Sequence, residues 1–166
     1  MPFILFVCTA NQFRSPLAAA CLLQGIKNEN FDTKWIVESA GTWTIPGMPA
    51  ATSALQIAKQ LKLAGLDRHL TRQVDQQLLD QFDLIIVMET SHKEAISSEF
   101  PSIYKRVYLL SELVDDFPYD IPDPMDPGID PGDVGRDLYR MLARGKEKIL
   151  QLAMTLSGLQ SSKEFH

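Results

Sequence analysis

Two short stretches, residues 3–7 (FILFV) and 84–88 (LIIVM), are apolar at every position. A strand covered on one face alternates apolar with polar residues, whereas one covered on both faces does not. These runs therefore require a sheet sandwiched between helices, and the remaining pattern supplies them. Pro16 opens a helix over LAAACLLQ that ends near Gly25. Residues 35–39 read as a second strand. Residues 50–63, with Leu55, Ala58 and Leu61 at helical spacing, form a helix stopped by Gly65. Shorter helices are predicted over 74–81 and 91–99, and a fourth strand over 107–110. Residues 111–133, rich in Pro, Asp and Gly, read as an ordered loop. A last helix over 134–156 buries Leu138, Met141, Leu142, Ile149, Leu150 and Leu152. Strands alternating with helices predict an α/β fold, a three-layer doubly wound, four-stranded parallel sheet flanked by helices. One domain over 1–157 is expected, followed by a polar, frayed tail over 158–166.

Composition narrows the function classes. A net charge of −5 argues against a general nucleic-acid binder. No apolar run reaches the roughly 20 residues of a membrane span, so membrane insertion is not expected. The first residues lack the basic region of a secretory signal. Two cysteines, Cys8 and Cys21, are too few for a disulfide scaffold or a four-ligand zinc site, and a reducing cytoplasm is the expected compartment.

The first apolar run leads into VCTANQFRSP, at the carboxyl edge where parallel sheets bind ligands. Taken singly, a cysteine is most often a small buried hydrophobe and an arginine a surface charge. Here the two share one loop. If that loop binds an oxyanion, each residue type has a task. Backbone N–H groups from Thr9, Ala10, Asn11, Gln12, Phe13 and Ser15, curled at a helix N-terminus, form a nest of positive potential. Arg14 offers a planar fork for two oxygens. The same potential favours the thiolate of Cys8, and Ser15 can donate a hydrogen bond to it. Asn11 tolerates the left-handed backbone that a tight loop needs. A thiolate so held can attack phosphorus while the nest and Arg14 hold the equatorial oxygens.

The Cys8-to-Arg14 loop followed by Ser15-Pro16 resembles that of the low-molecular-weight protein-tyrosine-phosphatases. SAGT (39–42), GLDRHLTRQV (65–74), FDLIIVMET (82–90) and IPDP (121–124) resemble further motifs of that family, in its order, over nearly the whole chain. The resemblance implies Cys8 as nucleophile, Arg14 as the transition-state clamp and Asp123 as general acid. It also implies a group of Asn11, Ser15, Ser39 and His69 that holds the loop in shape, whereas Arg72 reads equally as a solvated charge. It implies no metal and no organic cofactor, and a phosphorylated protein as partner; the sequence does not name the oligomeric state, and a monomer is the expectation.

Specificity does not carry over from the resemblance. Gln12 stands where many members have an aliphatic residue, and Phe13 where vertebrate members have a second cysteine. Met125 and Asp126 replace the paired tyrosines of vertebrate enzymes, so Trp43 and Met125 are the candidate pocket walls. The expected activity is phosphotyrosine hydrolysis through a cysteinyl-phosphate, because a short phosphoserine cannot reach the floor of a deep nest. A protein-arginine phosphatase of the same fold is the first alternative. An arsenate reductase would need relay cysteines beyond Cys21. A non-catalytic oxyanion-binding module would have no need of Cys8, Arg14 and Asp123 together.

Overall fold

The computed structural model describes residues 1–29 and 34–163, with side chains described through residue 159. Four parallel strands form one sheet: β1 (Phe3–Cys8), β2 (Ile36–Gly41), β3 (Leu84–Val87) and β4 (Val107–Leu109), in the order β2-β1-β3-β4. The helices are α1 (Arg14–Lys27), α2 (Thr52–Gln60), α3 (Gln76–Asp80), α4 (Thr90–Glu99), α5 (Leu110–Asp115) and α6 (Pro131–Lys163). Both apolar runs are covered on both faces, as expected. Ile4, Phe6, Leu84 and Ile86 pack with α1 and α6 on one side, and Leu5, Val7, Ile85 and Val87 pack with α3 and α4 on the other. The expected three-layer architecture is present.

Strand order reverses beside β1, so the crevice at the carboxyl ends of β1 and β3 is where such a sheet binds ligands. β2 runs past its expected end at Ser39, because Cys8 pairs with Gly41. Gly41 has a steric reason. A Cβ there would lie 2.5 Å from the Thr9 carbonyl, so only glycine lets the loop after β1 lie against β2.

Two expectations change. Residues 110–115, taken partly as loop, form helix α5, with Leu110 and Val114 buried one turn apart. The Pro and Asp residues that suggested a loop begin only at Asp116, which ends the helix in the left-handed region at φ 64°. Gly145 on α6 lets Val114 approach to 2.5 Å from where a Cβ would be. The last helix starts at Pro131 and runs through Lys163, so regular structure does not stop at 157. Proline suits a first helical turn, and no proline follows to end the helix. Of the expected frayed tail, residues 164–166 lie outside the described residues.

Candidate active site

Residues 8–15 leave β1 and wrap around the start of α1. Arg14 and Ser15 open that helix, where the first N–H groups have no partner within the helix. Asn11 takes φ 59°, the left-handed conformation expected of it. Cys8 is buried at the floor, its Sγ 3.0 Å from Ser15 Oγ.

One side of the loop is braced by the group that the resemblance implied. Asn11 Nδ2 donates to Ser15 Oγ and to Ser39 Oγ, both at 2.9 Å. Asn11 Oδ1 accepts the Arg72 N–H at 3.0 Å, and its carbonyl accepts from His69 Nε2 at 2.7 Å. A carbonyl only accepts, so Nε2 carries the proton. Burial lowers the His69 pKa, which favours the neutral ring. Arg72 Nε donates to the Ser39 carbonyl, and its guanidinium pairs with Glu38. Arg72 therefore braces the scaffold and does not face the cleft.

Arg14 is 2% exposed, and its Nη1 donates to the Ile121 carbonyl at 2.7 Å. Its fork lies 3.4 Å from Glu89 and 3.4 Å from Asp123. A buried guanidinium needs such partners, because an unpaired charge away from water is strongly destabilising. Cys8, Gln12, Phe13, Arg14, Asp123 and Met125 line one cleft of about 90 Å³, together with Ala10, Ala51, Ser53, Pro124 and Pro131. Asp123 is thus brought to the thiol. Asp126 is exposed and closes a turn, its N–H donating to the Asp123 carbonyl at 3.0 Å. Gln12 Nε2 reaches across to the Pro49 carbonyl at 3.2 Å.

The two expected walls fare differently. Met125 does line the cleft while remaining 85% exposed. Trp43 is 80% exposed and is not among the cleft's lining residues. Its loop is anchored through the backbone, with the Trp43 N–H donating to the Thr9 carbonyl at 3.1 Å. A larger groove of about 340 Å³ lies behind the loop, against α1 and beside Ser39 and His69, away from the thiol.

The other side of the loop is braced by residues that sequence reading missed. Glu89 caps α4, accepting the His92 N–H, while His92 Nδ1 accepts the Glu89 N–H at 3.1 Å. Because Nδ1 accepts, the neutral ring carries its proton on Nε2. Nε2 lies 2.8 Å from Thr9 Oγ1 and 3.0 Å from the Glu89 carboxylate. Burial, reinforced by Arg14, lowers the His92 pKa to about 4. Burial raises that of Glu89, against the pull of Arg14. The available signal was a charged residue at the carboxyl end of β3 with a histidine three positions on, a helix-capping spacing.

A thiol and a guanidinium share one loop at the switch point of a parallel sheet, the groups that a cysteine-centred oxyanion site would need. The model of the family described as low molecular weight phosphotyrosine protein phosphatase matches residues 3–160. A protein-arginine-phosphatase of Bacillus subtilis is 31% identical over 154 residues, covering 92% of this chain and 95% of the relative. The low molecular weight protein-tyrosine-phosphatase Wzb of Escherichia coli K12 is 33% identical over 121 residues, 73% of this chain and 76% of the relative. The crystal structure of a YwlE mutant from Bacillus subtilis superposes with a TM-score of 0.81 at 27% identity, covering 90% of this chain and 99% of that one. The chain belongs to the low molecular weight phosphotyrosine protein phosphatase family.

Proposed function

We propose that this chain hydrolyses phosphotyrosine in proteins through a phosphoryl group carried on Cys8. The observation that supports it most is that Cys8, Arg14 and Asp123 line the same cleft. The phosphoryl group sits in the loop with its oxygens on the backbone N–H groups and the Arg14 fork. The Cys8 thiolate attacks phosphorus, forming the S–P bond as the P–O ester bond breaks, and Asp123 gives its proton to the departing phenolic oxygen. Water then attacks the phosphocysteine, Asp123 takes a proton from it, the S–P bond breaks and inorganic phosphate leaves. Ser15, 3.0 Å from the sulfur, stabilises the thiolate as it attacks and again as it leaves. No step calls for a metal or an organic cofactor.

The cleft walls favour an aromatic substrate. Ala10, Phe13, Ala51, Pro124, Met125 and Pro131 present apolar surface, and Asp123 is the one acidic side chain lining the cleft. A phenyl ring fits such walls without loss, whereas a guanidinium arrives with N–H donors that need acceptors. Similarity over most of the chain to a protein-arginine-phosphatase favours phosphoarginine as the second reading. Two buried free thiols suit a reducing compartment, and we place the protein in the cytoplasm. Among the described residues no helix is long and apolar enough to cross a membrane.

Turnover of 4-nitrophenyl phosphate, blocked by vanadate and indifferent to EDTA, tests the phosphatase reading. Parallel assays on a phosphotyrosine peptide and a phosphoarginine peptide test its specificity. Preference for phosphoarginine would transfer the assignment, and no turnover by folded protein would leave an oxyanion-binding module.

A further inference from the structure

The segment that carries Asp123 lies between α5 and α6 and has no regular structure, so point contacts set its position. Two of them run through Ile121. Its N–H donates to the Met88 carbonyl at 2.9 Å, and its carbonyl accepts from Arg14. At its start the Tyr119 N–H donates to Ser111 Oγ, which donates to the Tyr119 carbonyl, and a further side-chain contact lies three residues before Asp123. Asp120 Oδ1 accepts from the Thr90 N–H at 2.8 Å and from Thr90 Oγ1 at 3.1 Å. Thr90 is the first residue of α4, where a carboxylate gains from the unpaired N–H groups and the helix dipole. The same helical turn reaches the other half of the site, through Glu89 to Arg14 and through His92 to Thr9.

We propose that the first turn of α4 registers the segment bearing Asp123 against the loop bearing Cys8, with Thr90 and Asp120 as positioning residues. The inference rests on the reading of Asp123 as the proton donor. Its physical basis is a division of labour. The Arg14 fork that holds Ile121 is the group that turns to phosphate oxygens when substrate binds. The Thr90–Asp120 contact touches neither substrate nor Arg14, so it keeps the segment in place while Arg14 is engaged. Loosening it leaves the nest intact and displaces only the acid, which matters most when the leaving oxygen needs a proton.

Thr90 and Asp120 are exposed, so substitutions there leave the core untouched. The test compares phenyl phosphate with 4-nitrophenyl phosphate for the wild type, Thr90→Val, Asp120→Ala and Thr90→Ser, with vanadate inhibition measured alongside. Asp120→Ala should lose about tenfold in kcat/KM on phenyl phosphate, the worth of a charge-assisted hydrogen bond. On 4-nitrophenyl phosphate it should lose less than about threefold. Thr90→Val should fall between the two, Thr90→Ser should recover most of that loss, and vanadate inhibition should hold. Equal losses on both substrates, no loss on phenyl phosphate, or weaker vanadate inhibition would overturn the proposal. Should Asp123→Asn itself show no leaving-group dependence, the acid assignment fails, and amide exchange decides the registration separately. Asp120→Ala must then speed exchange at Ile121 and Asp126, whose N–H groups donate to Met88 and Asp123. Unchanged exchange there would overturn it.

Discussion

Replacing Asn11 probes the scaffold of the loop most sharply. The residue is fully buried, and its side chain donates to Ser15 and Ser39 and accepts from the Arg72 N–H. Asn11→Ala removes all three bonds, each worth about 1 kcal/mol net, and leaves the Arg72 N–H in want of an acceptor at a further cost of about 1 kcal/mol. Alanine at φ 59° adds about 1 kcal/mol of backbone strain. The total, about 5 kcal/mol, is comparable to the whole stability of a marginal domain. Asn11→Gly loses the same bonds without the strain and should be the milder change by about 1 kcal/mol. Urea unfolding followed by circular dichroism gives both values from the midpoints and slopes. Both variants should also lose kcat/KM equally on good and poor leaving groups, because the loop loses shape while Asp123 does not move. A loss below about 1 kcal/mol for Asn11→Ala, or a glycine variant less stable than the alanine one, would refute the reasoning.

The lowered pKa of His92 means that the unfolded chain takes up its proton first as pH falls. Stability attributable to His92 is therefore intact above its ordinary pKa near 6.5 and lost as pH falls toward about 4, by at most about 3 kcal/mol. The wild-type-minus-His92→Asn stability difference, measured by urea unfolding across that window, should carry this slope; a flat difference would contradict it. Asp123→Asn should cost on the order of 100-fold on phosphotyrosine and less on 4-nitrophenyl phosphate. Asp126→Asn should show no such dependence, and the reverse pattern in kcat/KM would transfer the role. Peroxide should inactivate the enzyme without rescue by a Cys8–Cys21 disulfide. Cys21 faces the core on α1, and burial pushes its thiol up to about 12, so it supplies little thiolate. A stoichiometric intramolecular disulfide after mild peroxide, seen by mass spectrometry, would overturn this.

What was legible in the sequence is what the chain keeps local or fully buried. β1 and β3 show as unbroken apolar runs because helices cover both faces. Cys8, Asn11, Arg14 and Ser15 fall within eight residues, so their chemistry can be read together. Asp123 was preferred to Asp126 on the family motif and the apolar lead-in Ile121-Pro122, and of the two only Asp123 lines the cleft. The Thr9–His92 contact spans 83 positions, and no pattern along the chain announces it. Helix α5 was hidden for another reason. Its six residues precede a Pro- and Asp-rich segment whose composition dominated the reading, and its burial depends on Gly145 thirty residues later. Trp43 was named as a wall because an aromatic beside a motif suggests one, whereas a loop residue's direction is set by backbone anchors that the sequence does not display.

The central claim is the covalent role of Cys8, and trapping the phosphoenzyme tests it most directly. Wild-type protein turning over 4-nitrophenyl phosphate is quenched in acid within the first turnovers, digested, and its peptides weighed by mass spectrometry. The mechanism predicts one phosphoryl group on the peptide containing Cys8, localised to the sulfur and absent when vanadate is added first. Sustained turnover with that peptide unmodified, or the phosphoryl group on another residue, would contradict it.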